Sequence, residues 1–385
     1  MKITRIGRVP AIALVGALAL SACGSDDNTG GTDGGDSGNG SSSASADNGT
    51  GAAAPGGDVD CGSKALTAEG STAQDNAIQE AISSFESVCA DQKVTYNGTG
   101  SGDGIKKFIA GQVSFAGSDS ALKGSDGKTE VQDAQKACGS PAWNIPMVTG
   151  PISIAYNLQG VDKLVLTPAL LADIFQGKIT TWNDPQIAAA NKGVTLPAKP
   201  IKPFFRSDES GTTENFTKYL KGSAAAKWTA EPAKKWTGKG EGKAKTAGVA
   251  SAVKGTDGGI TYAEWGAAKD NKLGIAQIDN GAGAVELNGE SAGKAIAAAK
   301  IDGQGNDLKL KLDYATKEAG AYPIVLVTYE IVCSKYKDAA TAKGVKAFLN
   351  HFASEDTQKG IEEIGYAPLP DEVRSKVSTA INAIQ

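Results

Sequence analysis

The sequence predicts an α/β fold of two lobes, the second inserted into the first and joined to it by two extended crossovers. Strand-like runs, Gly/Ser turns and amphipathic helices alternate from Lys64 onward, the mark of a layered α/β fold with a mainly parallel sheet. Two long apolar segments, Pro146 to Leu158 and Tyr322 to Cys333, bracket a second α/β pattern. The stretch from Cys61 to Gln385, about 325 residues, is long enough for two domains of ordinary size. The expected boundaries are 61–150 with 326–385 for lobe I, and 151–325 for lobe II.

Lys64 to Ala68 reads as a strand running into Gly70-Ser71-Thr72, after which Ile78, Ile82, Phe85 and Cys89 recur at helical spacing. The unit repeats with Val94-Thr95-Tyr96, the turn Gly98 to Gly102, and a short helix carrying Ile105, Phe108 and Ile109 on one face. Val113 to Ala116 then leads into Gly117-Ser118-Asp119-Ser120. In the second pattern a helix is expected around Leu170 to Phe175, a strand before Arg206 and a helix from Thr213 to Leu220. The Lys/Gly-rich stretch Lys234 to Lys245 reads as a solvated loop. His351, the single histidine, falls in a helix from Gly344 to Phe352 and is expected to pack or to face solvent.

The N-terminus speaks to compartment. Lys2, Arg5 and Arg8 precede an apolar run, Val9 to Leu20, too short to span a bilayer comfortably. Residues 1–22 therefore read as a signal peptide. Its end, Leu20-Ser21-Ala22-Cys23, resembles a bacterial lipobox, which implies cleavage before Cys23 and a diacylglycerol on its sulfur. The 37 residues from Gly24 to Asp60 hold no aromatic residue and no Lys or Arg. Such a segment cannot bury enough apolar surface to offset its ordering entropy, so 23–60 is expected to be a disordered tether with a reach of roughly 30–35 Å.

Charge partitions with this division. Three of the 39 Lys+Arg lie in the signal and seven of the 43 Asp+Glu in the tether, leaving 36 of each and a formally neutral folded part. Nothing there suggests nucleic acid, which calls for clustered basic surface. With Cys23 assigned to lipid, Cys61, Cys89, Cys138 and Cys333 favour two disulfides in an exported chain. Three pairings are possible. Cys61–Cys89 with Cys138–Cys333 is preferred, because Cys61 precedes a strand and Cys89 ends the helix returning beside it. No cysteine spacing fits zinc, and one histidine leaves little for a metal site or a Ser-His-Asp triad. No metal and no cofactor are expected.

Four turns hold the candidate site: Gly70 to Ala73, Gly100 to Gly102, Gly117 to Asp119, and Arg206 through Thr212. Three of them open helices, whose free N–H groups and positive dipole ends suit an oxyanion. Gly permits close approach, Ser and Thr add donors, and Arg206 offers a planar fork to two oxygens. Each turn alone has an ordinary explanation, since Ser or Thr at a helix start is commonly only a cap. Together, in one α/β frame, they point to anion binding.

From about Lys64 to the C-terminus the chain resembles the phosphate-binding protein of the bacterial high-affinity phosphate ABC transporter. The resemblance is carried by Leu66 to Ala73, Tyr96 to Gly102, Phe115 to Asp119 and Arg206 to Thr212, with support from Gly258 to Glu264, Tyr322-Pro323-Ile324 and Gly365 to Pro370. It implies a two-lobed periplasmic-binding-protein fold, type II-like, that closes over dehydrated phosphate and delivers it to the permease as a monomer. Position by position, it implies phosphate ligands at Thr72, the Ala73 backbone, Ser101, Asp119, Arg206, Ser210, Gly211 and Thr212, with Asp208 orienting the arginine. Two departures stand out. Ala73 replaces a frequent aromatic and alters packing at the cleft, and Glu209 replaces a frequent Gly and adds charge nearby.

Asp119 separates phosphate from sulfate. An ionised carboxylate only accepts hydrogen bonds, and phosphate at neutral pH still has a proton to donate where sulfate has none. Sites of this kind reject the ligand lacking the hydrogen by orders of magnitude. The alternatives are the same fold serving sulfate or molybdate, a phosphatase using Ser101 or Ser210, and a surface adhesion protein. Asp119 argues against the first, the absence of a histidine placed to activate either serine against the second, and the four turns against the third.

Overall fold

A computed structural model describes residues 60–125 and 127–385. The expected signal peptide 1–22, the expected lipidation site Cys23 and the expected tether through residue 59 lie outside the described residues. The described residues begin with β1 (Leu66–Gly70), α1 (Asp75–Val88), β2 (Val94–Gly98), α2 (Ser101–Ile109), β3 (Phe115–Ser118) and α3 (Glu130–Cys138). On α1 the residues Ala77, Ile78, Ala81, Ile82 and Phe85 are buried at helical spacing. A 16-residue strand, β4 (Ala142–Asn157), then crosses into the second half. There follow β5 (Val165–Leu166), α4 (Pro168–Phe175), α5 (Pro185–Ala190), β6 (Lys202–Arg206), α6 (Gly211–Ser223), β7 (Glu241–Lys243), α7 (Lys245–Lys254) and β8 (Gly259–Glu264). Thr167 caps α4 through the Leu170 N–H, with Pro168 at its first position.

Next come α8 (Trp265–Asp270), β9 (Gly274–Ile275), β10 (Gln277–Asp279), β11 (Ala284–Val285), α9 (Gly289–Ala297), β12 (Lys300–Ile301) and β13 (Leu310–Lys311). The return crossover is β14 (Val325–Cys333), and α10 (Ala339–Phe352), α11 (Glu355–Glu363) and α12 (Asp371–Asn382) complete the chain. The main sheet runs β2-β1-β3-β14-β4-β8-β6-β7, with β9 paired to β4 off this path.

That sheet corrects the mainly parallel expectation. Parallel pairs occupy both ends, β1 with β2 and β3, and β6 with β7 and β8. The centre, β3-β14-β4-β8, is antiparallel. The reason is topological: β4 leaves the first half, β14 returns to it, and two such crossovers side by side run in opposite directions. Their ladder extends from Val325↔Pro151 to Cys333↔Ala142, with an irregularity between Thr328 and Tyr329.

The apolar interior falls into separate clusters. One gathers Ile152, Tyr156, Leu171, Trp182, Phe216 and Tyr262 around α4 and α6. Another gathers Phe85, Phe115, Met147, Phe348 and Ile381 between the sheet and α1, α10 and α12. A third, around Phe108, Leu122 and Ile331, lies under α2 and α3. Phe348 makes an edge contact with Phe85 at 5.4 Å and stacks on Phe115 at 5.8 Å. His351 is half-buried, 2.8 Å from the Ser84 hydroxyl and beside the Phe85 ring.

The Lys/Gly-rich stretch is more than a solvated loop. It contributes β7 to the sheet edge, and Trp236 stacks on Phe205 and Phe216. Lys234 lies near Glu130 and Glu214, and Lys235 pairs with Glu209. Composition concealed this, because the ring partners of Trp236 and the carboxylates that Lys234 and Lys235 meet all lie outside the stretch. Disulfides join Cys61 to Cys89 and Cys138 to Cys333, closing sequence separations of 28 and 195 residues.

Candidate functional site

The four turns converge at the carboxyl ends of parallel strands, where α/β sheets hold ligands. β1 passes through Ser71-Thr72 toward α1, β2 turns through Gly100 into α2, β3 delivers Asp119, and β6 ends on Arg206 before α6. Gly100 has φ +104°, and a Cβ there would stand 2.8 Å from Asp208 Oδ2. A Cβ on Gly211 would meet Asp119 and Ser101 at 2.5–2.6 Å. Only glycine lets the two halves approach this closely.

Asp119 is the centre of the first half. Its Oδ1 accepts from Ser71 Oγ at 2.5 Å and from Thr328 Oγ1 at 2.8 Å. Its Oδ2 accepts from Ser101 Oγ at 3.1 Å, and Ser101 Oγ in turn accepts from the Asp119 N–H at 3.1 Å. Burial pushes the carboxyl up to about 6; the hydroxyl hydrogen bonds oppose that, and the charge of Glu264 adds to it. Thr328 sits at the β14 irregularity, where a bulge re-aims a side chain.

Arg206, 2% exposed, is the centre of the second half. Its Nε and Nη2 donate to the two carboxylate oxygens of Asp208 at 2.8 and 2.5 Å, and Nη1 donates to Thr246 Oγ1 at 3.2 Å. Burial alone would weaken its hold on the proton, but the Asp208 hydrogen bonds and charge raise its pKa. The Lys245 N–H and the Arg206 fork meet on Asp208 Oδ1, so the guanidinium is fixed before any ligand arrives. Thr246 Oγ1 lies 2.8 Å from Thr72 Oγ1 of the first half.

The sequence-derived residues therefore divide. Ser101, Asp119 and Gly211 touch one another, while Thr72, Arg206 and Asp208 are linked through Thr246. Ala73 is buried; its N–H donates to Ser71 Oγ at 2.9 Å and its carbonyl accepts from Tyr366. Ser210 caps α6, its Oγ accepting the Thr213 N–H at 3.2 Å. Thr212 Oγ1 donates to Glu264 Oε1. The added charge of Glu209 is held by Lys106 at 2.6 Å and Lys235 at 3.3 Å, which keep its carboxyl below the usual range.

Four residues of this constellation were not singled out from sequence: Ser71, Thr246, Glu264 and Thr328. Ser71 was inside a recognised turn, and Glu264 closed a segment that carried the resemblance. Thr246 adjoined the supposed loop, and Thr328 was one polar residue in an apolar run. Nothing local marked the last two.

The halves also meet around the site. Gly102 N–H donates to the Glu209 carbonyl at 3.0 Å, Asn215 Nδ2 to the Asp119 carbonyl at 2.7 Å, and Lys123 pairs with Glu214 at 3.1 Å. Among the described residues no cluster of His, Cys, Asp and Glu suits a metal ion. Neither Ser101 nor Ser210 has an imidazole beside it, since His351 bonds Ser84. The arrangement sets a buried carboxylate acceptor and a guanidinium held by Asp208 in one cleft.

The fold and this cleft are those of a solute-binding protein, and a model described as the PBP superfamily domain matches residues 39–356. The chain is 45% identical to phosphate-binding protein PstS 3 of Mycobacterium tuberculosis and 43% identical to PstS 2 of the same organism, each alignment covering all of both chains. It is 36% identical to phosphate-binding protein PstS of Xylella fastidiosa over 72% of this chain and 74% of that one. Among solved structures it resembles a high-affinity periplasmic phosphate-binding protein, PfluDING, bound with phosphate. The TM-score is 0.67 at 22% identity, covering 82% of this chain and 93% of that one. A phosphate ABC transporter substrate-binding protein from Clostridium perfringens gives a TM-score of 0.58 at 19% identity, covering 80% and 100%. The chain belongs to the PstS phosphate-binding proteins, a family of binding proteins rather than enzymes.

Proposed function

We propose that this chain captures inorganic phosphate outside the cytoplasm, in the cleft between its two halves, and hands it to the permease of an ABC transporter. The observation that carries the reading is the buried Asp119 carboxylate, ringed by Ser71, Ser101 and Thr328, with the prearranged Arg206 fork in the same cleft. A protic tetrahedral anion satisfies both: its P–OH donates to Asp119 and its bare oxygens take the guanidinium and the helix N-terminal N–H groups. Thr72, Ser101, Asp119, Arg206, Gly211 and Thr212 are the proposed ligands. Ala73 and Ser210 join them through backbone groups or after local rearrangement.

The halves correspond to lobe I (61–150 and 326–385) and lobe II (151–325), which separate along the β4–β14 ladder to admit phosphate. A diacylglycerol on Cys23 holds the protein at the membrane. Equilibrium dialysis with labelled phosphate, competed by sulfate, tests the binding. Saturable uptake without turnover, indifferent to sulfate, supports it; equal competition by sulfate rejects it. Cys23→Ser tests the anchor, since the reading requires the substituted protein to leave the membrane fraction.

A further inference from the structure

Resting on phosphate as the ligand, we infer that Lys245 is a positioning residue for phosphate binding, and that it acts through its backbone. A left-handed turn at this residue aims its own N–H at Asp208 and the next hydroxyl, that of Thr246, at Arg206. Lys245 has φ +62°, and among the described residues the only other non-glycine residue with positive φ is Lys272, at +56°. Lys272 has an ordinary explanation. It follows α8, and its N–H donates to the Lys269 carbonyl at 2.9 Å, as at the closing turn of a helix. Lys245 instead opens α7, where the preceding residue commonly supplies a side-chain cap. Ala244, which stands there, supplies none.

A non-glycine residue in this region carries a conformational cost and persists only where its surroundings impose it. Here the arginine turn imposes it. β6 and β7 pair in parallel through Arg206 and Lys243, and the Ser207 N–H donates to the Lys243 carbonyl at 3.0 Å. Continued in register, that ladder would carry the Lys245 N–H to the Ser207 carbonyl. The left-handed turn takes it out of the ladder, and it donates to Asp208 Oδ1 at 2.9 Å instead. Asp208 thereby caps α7 from another element, a favourable place for a carboxylate, while its two oxygens hold Arg206 Nε and Nη2. One residue on, Thr246 Oγ1 accepts from Arg206 Nη1 at 3.2 Å and lies 2.8 Å from Thr72 Oγ1. The same turn thus supports all three guanidinium nitrogens, two through Asp208 and one through Thr246. The Lys245 side chain is exposed, so its ammonium has no part in this geometry.

The test compares Lys245→Val, Lys245→Gly and Lys245→Asn in the full protein by calorimetric titration with inorganic phosphate. A β-branched side chain is a genuine outlier at positive φ. Lys245→Val should therefore weaken binding about tenfold, the effect of losing a hydrogen bond to a charged group. Glycine and asparagine lack the charge but enter the left-handed region readily, so both should restore affinity to within about threefold of the wild type. The Arg206 Nε–H resonance separates positioning from general stability. In the phosphate-free wild type and Gly protein it should be protected from solvent exchange, and in the Val protein it should exchange about tenfold faster or more. Wild-type affinity in a folded Lys245→Val protein overturns this inference alone. So does a tenfold loss in both Lys245→Gly and Lys245→Asn, which assigns the effect to the ammonium and decides the matter even if the Val protein does not fold. A wild type that binds no phosphate overturns the functional reading beneath it.

Discussion

The hydroxyl oxygens of Thr72 and Thr246 lie 2.8 Å apart, one from the first turn of the chain and one from α7, and Thr246 also accepts from Arg206 Nη1 at 3.2 Å. This pair ties the arginine of one half to the helix-opening turn of the other. If Thr246 holds the guanidinium in the plane the ligand needs, Thr246→Val should weaken phosphate binding roughly tenfold, the size of one hydrogen bond to a charged group. Thermal stability should change little. Titration calorimetry with a melting curve checks both; unchanged affinity would remove Thr246 from the site.

Asp119→Asn keeps the shape and replaces an acceptor-only group with one that can also donate. Phosphate binding should weaken by about one to two orders of magnitude, while sulfate, rejected by the carboxylate, gains a donor and becomes a measurable competitor. Competition dialysis reads both ions in one experiment. Complete rejection of sulfate by the Asn protein would show that discrimination lies elsewhere.

Glu330 lies on β14 opposite Gly117 of β3, fully buried, and burial pushes its carboxyl up to about 8. Its folded pKa is thus above the unfolded value, so the native state holds a proton that the unfolded state releases. Its contribution to stability is fully present below about 4.5 and is lost as pH rises through about 8. Glu330→Gln carries no such proton. The two proteins should melt alike near pH 5 and diverge toward pH 9, where the Gln protein should be more stable by several kcal/mol, an order-of-magnitude figure from the size of the shift. Parallel melting curves across that range would mean that Glu330 is not held protonated.

The Cys138–Cys333 bridge joins the end of α3 to the end of the return crossover across 195 residues. On the chain-entropy account long loops gain most, and losing such a bridge costs about 2–5 kcal/mol. The double substitution Cys138→Ser with Cys333→Ser should therefore lower the melting temperature on the order of 5–10 °C. Phosphate affinity at room temperature should be nearly retained, because neither sulfur touches the cleft. Calorimetric melting with and without phosphate measures it.

Much of the site was legible because it is built from contiguous turns. Gly100, Ser101, Asp119, Arg206, Asp208 and Gly211 each stand beside a glycine, a helix start or a strand end that announces itself within a few residues. Ser210 shows the limit of that logic. Its position before a helix suits a ligand and a cap equally, and in the structure its hydroxyl oxygen accepts as the cap, a role that leaves the hydroxyl hydrogen to donate elsewhere. The sheet shows another limit: local alternation of strands and helices signals parallel pairing, but it says nothing of two crossovers lying side by side.

By itself the sequence determined the α/β class, the crossovers at β4 and β14, and the anion-type turns, because each depends on periodicity or on residues adjacent along the chain. Only the tertiary structure decided that Thr328, Thr246 and Glu264 join those turns. Thr328 reaches Asp119 across 209 residues, and Glu264 reaches Thr212 across 52. Such partners are chosen by the packing of distant strands and by the need to satisfy buried polar groups, and neither leaves a local trace. The turns supply donors and acceptors; the fold decides which way each hydroxyl points.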